Sequence, residues 1–326
     1  GDHRDLHLSL RRQRQMCIRD RLCSIECPVN INTGVMVKSL RFTGAADPWF
    51  TSFISRHFRF VISLVRAGLK IVGMLDSFIG HSLVRKGAAA LNKISKGRVP
   101  VWPRSGFTVS KKYIFNPVVD PDYIHVSSCV NRVLAGDTSG LSSSDYLREI
   151  ADAAGIRLGN LETMNDHCCG MAFSSRGFDT TGKDMRQELL HALSEASNEG
   201  EIPIVADMSP CTQYLMESQD AASLAIIDSV EFLNKVKARL GLELLDESVF
   251  VHTVCSAQKM GKENDLFDLA SDCVSFVETA LEPFCCGTGG DRGFRHPELT
   301  KNAVDLSLIH ISEPTRPLYI SYAVFC

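Results

Sequence analysis

The sequence lacks the features that mark several large classes of protein. Among its 326 residues there are only 2 Trp, no apolar stretch of a secretory signal near the start, and no run approaching the ~20 uncharged residues of a membrane-spanning helix. Positive charge is not in excess, because 35 Lys and Arg stand against 38 Asp and Glu, and this balance argues against nucleic-acid binding. The composition, 44% hydrophobic and 22% charged, is that of a globular protein with one large core or two domains.

Common motifs of nucleotide binding and hydrolysis are also absent. The chain contains no G-x-G-x-x-G, no Walker loop, no G-x-S-x-G and no H-E-x-x-H. Any chemistry of this chain must therefore come from residues outside these motifs.

Cysteine is the residue type that the sequence has in abundance. Twelve are present, and four of them form the adjacent pairs Cys168-Cys169 and Cys285-Cys286. Neighbouring cysteines rarely bond each other, and in a reducing compartment dense cysteine indicates metal binding or redox chemistry rather than disulfide cross-links. The pairs therefore predict a cytoplasmic protein that binds metal through thiolates.

The two ends of the chain differ from its body. Residues 1–21 contain six Arg and three acidic residues without a helical or strand period, and residues 307–326 are equally patternless. Both resemble translated sequencing-adapter readthrough, so we exclude them from fold reasoning. On this interpretation the native body is 22–306, an internal piece of a longer protein.

The body contains an internal repeat built around the paired cysteines. Segment 123–129 resembles 249–255, since each is a β-branched and aromatic run that ends at a Cys. Cys-Cys-Gly follows at 168–170 and again at 285–287, and each copy is followed by Arg-Gly-Phe. This shared order predicts a duplicated unit in which a buried strand delivers a Cys to its carboxyl end.

Between these points, helical and strand patterns alternate. Helices are predicted over 142–154, 183–198, 228–240 and 264–280, and a strand over 203–207. Such alternation is typical of an α/β fold with a mostly parallel sheet, in which ligands bind beyond the carboxyl ends of the strands. Because Cys129, Cys211 and Cys255 all follow strand-like runs, we expect the two halves to bring their cysteines to one face.

A helical stretch at 53–95 precedes the repeat, and 98–122 has the composition of a linker. Basic residues interrupt the apolar runs of the helical stretch. A basic amphipathic surface of this kind is able to touch anionic lipid, as a peripheral contact at the inner face of a membrane. The interpretation that we favour is a helix packed on a partner domain, with its charges in solvent.

The cysteines of the repeat are candidate metal ligands. Iron–sulfur clusters are held by about four Cys thiolates each. The first unit offers four, namely Cys129, Cys168, Cys169 and Cys211. The second unit offers three, namely Cys255, Cys285 and Cys286. Zinc is the main alternative, because four thiolates also form a closed tetrahedral site, and the other alternative is simple packing of small apolar side chains.

A third group of cysteines lies near the start of the body. Cys23 and Cys27 form a Cys-x-x-x-Cys-Pro sequence with Pro28, which is the tail of the bacterial ferredoxin run. Cys17 is a weaker candidate, because it lies in the adapter-like stretch. Cys273 lies in a helical pattern without a counterpart in the repeat, and we assign it to the core.

Taken together, these motifs resemble a known group of iron–sulfur proteins. Residues 23–34 resemble the end of the ferredoxin-type segment of bacterial FAD-linked, cytochrome-reducing D-lactate dehydrogenases. The Cys-Cys-Gly motifs resemble the paired cysteine-rich CCG domains that these enzymes share with the cysteine-rich subunit of heterodisulfide reductase, glycolate oxidase iron–sulfur subunits and the anaerobic glycerol-3-phosphate dehydrogenase small subunit. The segments that look closest to the fused D-lactate dehydrogenases are 128–132, 208–212, 228–232 and 293–299.

The resemblance implies the electron-transfer part of an FAD-linked D-2-hydroxyacid dehydrogenase, which passes electrons from flavin through [4Fe–4S] clusters to a cytochrome or quinone. The Cys residues would be cluster ligands rather than catalytic groups, and FAD would lie in a partner domain preceding residue 22. Met208 replaces the first Cys of the family's closing Cys-x-x-Cys, which implies four-thiolate ligation in the first unit. The alternatives are a stand-alone iron–sulfur subunit of a glycolate oxidase or glycerol-3-phosphate dehydrogenase type complex, and a zinc-stabilised binding module without a redox role.

These inferences divide the chain into six parts. They are an adapter-like start (1–21), the end of a ferredoxin-like segment with helices (22–97), a linker (98–122), a first CCG unit (123–245), a truncated second CCG unit (246–306) and an adapter-like tail (307–326).

Overall fold

The computed structural model describes residues 47–97, 99–103, 106–136, 139–279, 292–298 and 300–301. Its helices are α1 (Trp49–Arg56), α2 (Phe58–Ile79), α3 (His81–Ile94), α4 (Ser143–Ala153), α5 (Met171–Arg176), α6 (Asp179–Ala196), α7 (Ser209–Met216), α8 (Ser229–Val236), α9 (Cys255–Lys259), α10 (Asp265–Ser271) and α11 (Arg292–Arg295). Its strands are β1 (Tyr123–Val126), β2 (Leu158–Asn160), β3 (Ile204–Ala206), β4 (Ile226–Asp228), β5 (Leu245–Val251) and β6 (Val274–Thr279). Short 3-10 helices cover Glu162–Asp166, Gln219–Ala221 and Lys237–Arg239.

A four-stranded parallel sheet in the order β2-β1-β3-β4 forms the centre of the first unit. The chain runs from β1 to β2 on one side and then returns to β3 on the other side of β1. In open α/β sheets, ligands bind beyond the carboxyl ends of the strands at such a reversal. The topology therefore places a binding position next to the ends of β1 and β3.

The strands of this sheet are buried on both faces. Ile204 and Ala206 of β3 pack in a core that includes Leu189 of α6, whereas Val205 between them packs on the opposite face with Phe232 of α8. Side chains alternate between the two faces along a strand, and strands covered on both faces read as continuous apolar runs. This is why β3 could be recognised from the sequence.

The helices on the sheet begin at capping side chains. Ser142 precedes α4, and its Oγ accepts a hydrogen bond from the amide of Asp145, whose carboxylate accepts one from the Ser142 amide at 2.8 Å. Asp228 caps α8 by accepting from the amide of Val230 at 3.0 Å. Such caps satisfy amides that have no partner within the helix, and they start both helices just after a turn or strand.

The start of the second unit has the same strand–helix–strand order. β5 and β6 form a separate two-stranded parallel sheet, and α9 and α10 lie between them in the chain, as α4 lies between β1 and β2. Residues 280–291, which contain the second Cys pair, lie outside the described residues.

The predicted α/β class with parallel sheets is confirmed. The prediction of one helix over 264–280 is wrong, because α10 ends at Ser271 and β6 begins at Val274. The run Val-Ser-Phe-Val in β6 pairs in parallel with β5. The apolar positions of such a run fit a helical period as well as a strand period, so pairing with a neighbouring strand determines which structure forms.

Helices α1 to α3 form the predicted helical stretch, and α2 enters the first unit at its start. Phe58 is buried in the core that contains Cys168 and Cys169. Arg66 donates to the hydroxyl and carbonyl oxygens of Ser110 at 2.9 and 2.8 Å. The expectation that the basic residues of this stretch lie in solvent is therefore wrong for Arg66. Among the described helices, none is long and apolar enough to cross a membrane.

Candidate metal centre

Four thiols of the first unit converge beyond the carboxyl ends of its strands. They are Cys129 after β1, Cys168 and Cys169 after β2 and the 3-10 helix that follows it, and Cys211 in the first turn of α7 after β3. Because β1, β2 and β3 are parallel, their carboxyl ends lie at one edge of the sheet. The structure therefore brings together residues that are far apart in the sequence.

The sulfur atoms form two close pairs. Cys168 Sγ lies 3.8 Å from Cys129 Sγ, and Cys169 Sγ lies 3.1 Å from Cys211 Sγ. Both distances exceed the disulfide bond length of about 2.05 Å, and all four residues are free thiols. The adjacent residues Cys168 and Cys169 thus connect the thiol that follows β1 with the thiol that follows β3.

Gly170 makes the turn after the Cys pair. Its φ is +80°, a left-handed conformation that costs an L-residue about 1–2 kcal/mol. A Cβ at this position would lie 2.0 Å from the carbonyl oxygen of Gly182 in α6. The Gly170 amide also points to Cys168 Sγ at 3.5 Å. The glycine is therefore required both by the backbone conformation and by the close approach of α6.

The four thiols influence one another, and burial raises their pKa values. The pKa of Cys129 lies well above its ordinary value, first because of its contact with Cys168 and then because of burial. For Cys168, the contact with Cys129 lowers the pKa, but Cys169 and burial outweigh it and raise the pKa to about 12. The contact with Cys168 lowers the pKa of Cys169, and the contact with Cys169 lowers that of Cys211, but burial and the other thiols outweigh these contacts and raise both pKa values. Without a bound metal, these side chains are neutral thiols at pH 7.

Asp207 holds the loop that carries Cys129. It follows β3 directly and is buried, and its Oδ1 accepts a hydrogen bond from the amide of Ser128 at 2.9 Å. Its Oδ2 accepts from Ser144 Oγ and lies 3.7 Å from His125 Nε2. Burial opposes ionisation, but the contacts with His125 and Ser144 outweigh it and lower the Asp207 pKa. A charged carboxylate therefore lies at the base of the site.

Arg132 connects the loops that carry Cys129 and Cys168. Its buried guanidinium donates to three main-chain carbonyl oxygens, those of Ser128, Met164 and His167. Sequence reasoning missed both Arg132 and Asp207 as site residues. Their positions in the sequence could have indicated both residues, because Arg132 lies three residues after a candidate ligand and Asp207 is the last residue of a predicted strand.

The remaining predicted ligands fall elsewhere. Cys255 is the first residue of α9, which packs against α7, and it is not one of the four converging thiols. Cys273 lies between α10 and β6, partly buried and outside the thiol cluster. The predicted ligands that lie outside the described residues, and so remain predictions, are Cys23, Cys27, Cys285 and Cys286. The weaker candidate Cys17 also lies there.

The arrangement can be compared with what different metals require. In the described ranges, no group of three or more His, Cys, Asp or Glu side chains is arranged to hold a metal ion. Two sulfurs bound to one zinc ion at about 2.3 Å each lie within about 4.6 Å of each other, and both sulfur pairs meet this limit. Four Cys thiolates are also the ligand set of an iron–sulfur cluster, so the donor set fits either kind of metal centre.

Comparison with known proteins characterises the first unit. Residues 128–215 match the family model of the CCG cysteine-rich domain, and this range includes all four converging thiols. The chain is also similar to a subunit of the anaerobic glycerol-3-phosphate dehydrogenase, from Escherichia coli strain K12 and from Escherichia coli O157:H7, at 26% identity over 141 residues in each case. The similar region spans 40% of this chain but only 36% of each relative. No solved structure matches the chain at a significant level. Residues 128–215 are therefore similar to CCG cysteine-rich domains, and part of the chain is similar to part of one dehydrogenase subunit.

Proposed function

We propose that this chain is the iron–sulfur electron-transfer module of a flavin-dependent dehydrogenase. One cluster would be held by Cys129, Cys168, Cys169 and Cys211. The observation that carries the proposal is the convergence of these four free thiols, from loops after three different strands, within a CCG domain. Packing alone would be served as well by Ala or Val, whereas ligation by thiolates explains why all four residues are Cys.

A bound cluster would supply one-electron oxidation and reduction. The residues of this chain would hold it, exclude water from it and set its reduction potential through burial and nearby charge. Because the four thiols are protonated when no metal is bound, cluster insertion must release their protons. Loading should therefore become easier as the pH rises towards the thiol pKa values.

The finer assignment is a D-lactate or related D-2-hydroxyacid dehydrogenase, with FAD in a preceding domain and a cytochrome or quinone as acceptor. The similarity of 128–132, 208–212 and 228–232 to fused D-lactate dehydrogenases supports it. A stand-alone component of a glycerol-3-phosphate dehydrogenase type complex is the second candidate, favoured by the two curated relatives. Sequencing upstream of the gene separates them: continuation into FAD-binding sequence supports the fusion, and a separate flavoprotein gene supports the stand-alone component.

The flavin-bearing partner would pack on an exposed apolar face of α2. Its members are spaced three, four or seven residues apart, as on one face of a helix, and are 57–88% exposed; they are Phe60, Leu64, Ile71, Met74 and Phe78. One helical stripe of large apolar side chains in solvent indicates an interaction surface. The same helix begins at Phe58, which is buried in the core that also contains the Cys pair. A partner bound to α2 would thus be close to the thiol site.

Electron transfer can be tested directly with the anaerobically purified chain. A photoreduced flavin should reduce the chain's visible chromophore in a stopped-flow mixture, and a quinone or cytochrome added next should reoxidise it. The variant Cys168→Ser should lose both phases, whereas Cys273→Ser, which changes a thiol outside the cluster, should retain them. Equal behaviour of the two variants would contradict the proposal.

A further inference from the structure

Arg132 is a buried cation between the loops that carry Cys129 and Cys168. It is 3% exposed. Its Nε lies 3.4 Å from the carbonyl oxygen of Ser128, the residue before Cys129. One Nη donates at 2.6 Å to the carbonyl oxygen of His167, the residue before Cys168, and the other donates to a carbonyl of the preceding 3-10 helix. A planar guanidinium presents several donors in a fixed geometry, so this one side chain sets the distance between the two loops.

The charge of Arg132 has no carboxylate partner in the part of the chain that the structure describes. Its contacts there are the three carbonyl oxygens and the ring of Phe58, whose centroid is 5.9 Å from Cζ. A buried charge is costly unless a nearby charge offsets it. The buried carboxylate of Asp207 in the same site contacts His125 and Ser144 instead. The site thus contains a positive charge that a thiolate-ligated anion would balance.

We propose that Arg132 is a positioning residue of the thiol site, which both fixes the Cys129 and Cys168 loops and raises the reduction potential of a cluster bound there. This inference rests on the proposed function. A cluster held by four thiolates is an anion and becomes more negative when it accepts an electron. A fixed buried cation stabilises the reduced form more than the oxidised form, so it makes reduction easier.

A purely structural role for Arg132 predicts a different outcome. If the guanidinium only bound the loops together, its loss would lower stability and iron retention but leave the potential of the remaining clusters unchanged. The midpoint potential therefore separates the two roles. Iron content alone does not, because both roles predict that it falls.

The experiment uses the full chain, purified anaerobically and loaded with iron and sulfide. Arg132→Gln removes the charge, and Arg132→Lys keeps the charge but loses the fork of donors. Arg186→Gln is a matched control, because the Arg186 guanidinium also binds a carbonyl oxygen and a ring, those of Tyr214, at 3.0 and 4.5 Å. In the described part of the chain, Arg186 makes no hydrogen bond to either loop. Midpoint potentials are measured by EPR during a dithionite titration, and iron per chain is measured before and after gel filtration.

We expect the midpoint potential of Arg132→Gln to fall below those of wild type and Arg186→Gln, while Arg132→Lys stays near wild type but loses iron on gel filtration. A potential of Arg132→Gln equal to that of the control would overturn the inference. If Arg132→Gln loses its iron on gel filtration, its midpoint potential is titrated in the freshly loaded chain without filtration, and the same comparison with Arg186→Gln decides. A wild-type chain that binds no iron contradicts the proposed function instead.

Discussion

The thiols of Cys169 and Cys211 lie 3.1 Å apart, although 42 positions separate them in the sequence. They belong to the loops after β2 and β3, strands that lie on opposite sides of β1. Their proximity therefore depends on the crossover of the chain from one side of β1 to the other. The distance between these two sulfurs therefore tests the fold of the site whether or not a metal is bound.

This proximity predicts which disulfide forms when the metal-free chain is oxidised. With diamide as the oxidant, Cys169 and Cys211 should lose two electrons and two protons and form a bond before the more distant pair of Cys129 and Cys168. Peptide mapping by mass spectrometry under non-reducing conditions identifies the linked pair. A first-formed bond that involves Cys273 would contradict the described geometry.

The raised thiol pKa values predict how the stability of the metal-free chain depends on pH. The folded state keeps its thiol protons above the unfolded pKa of about 8.5, whereas the unfolded state loses them. Stability is therefore fully present below pH 8.5 and is lost as the pH rises towards the Cys168 pKa of about 12. Each such thiol removes up to about 1.4 kcal/mol of unfolding free energy per pH unit.

Urea unfolding between pH 8 and 10 tests this dependence. The control replaces all four clustered thiols with Ser, which does not titrate in this range. The metal-free wild type should lose stability more steeply than the control. If the unfolding free energies of the wild type and the control fell equally with pH, the folded state would not hold its thiol protons as described.

Gly170 offers a test of the turn after the Cys pair. Gly170→Ala adds a Cβ that would lie 2.0 Å from Gly182 O, so the backbone of the turn or of α6 must move. Gly155→Ala is the matched control, because Gly155 has a similar φ of +70° but nothing within 4 Å of the added Cβ. We expect Gly170→Ala to cost more than about 2 kcal/mol beyond the control. Chemical denaturation measures both, and equal losses would rule out the close approach.

The exposed face of α2 predicts binding to a protein partner rather than to lipid. Residues 47–97 contain eight Lys and Arg against two Asp, but Arg66 binds Ser110 and Arg59 lies 3.9 Å from Asp166. Few cations of α2 thus remain for anionic headgroups. We expect no flotation with anionic or zwitterionic vesicles at low salt. Flotation with anionic vesicles that is lost in high salt and in Phe60→Ser/Phe78→Ser would favour the lipid alternative.

Much of the site could be predicted, because its cysteines come just after the carboxyl ends of parallel strands. Once the chain is recognised as alternating strands and helices, the rule for parallel sheets places Cys129 and Cys211 at one edge. The adjacent pair Cys168-Cys169 is visible directly in the sequence. The sequence was less informative for β6, because its apolar residues fit both a helical and a strand period. Pairing with β5 makes this segment a strand.

The two buried charges could not be predicted, for a physical reason. Arg132 binds main-chain carbonyl oxygens, and Asp207 binds a main-chain amide and Ser144. Main-chain groups are present at every position, so such partners leave no pattern of residue types. Only the folded loops show that both charges adjoin the thiols.

The central claim is that the four converging thiols hold an iron–sulfur cluster. The most direct measurement is iron and acid-labile sulfide in the anaerobically purified chain, with EPR before and after dithionite, beside Cys129→Ser and Cys273→Ser. We expect a brown protein with about four iron and four sulfide per cluster, a dithionite-dependent signal, and loss of that cluster in Cys129→Ser alone. A colourless protein with stoichiometric zinc would contradict the claim.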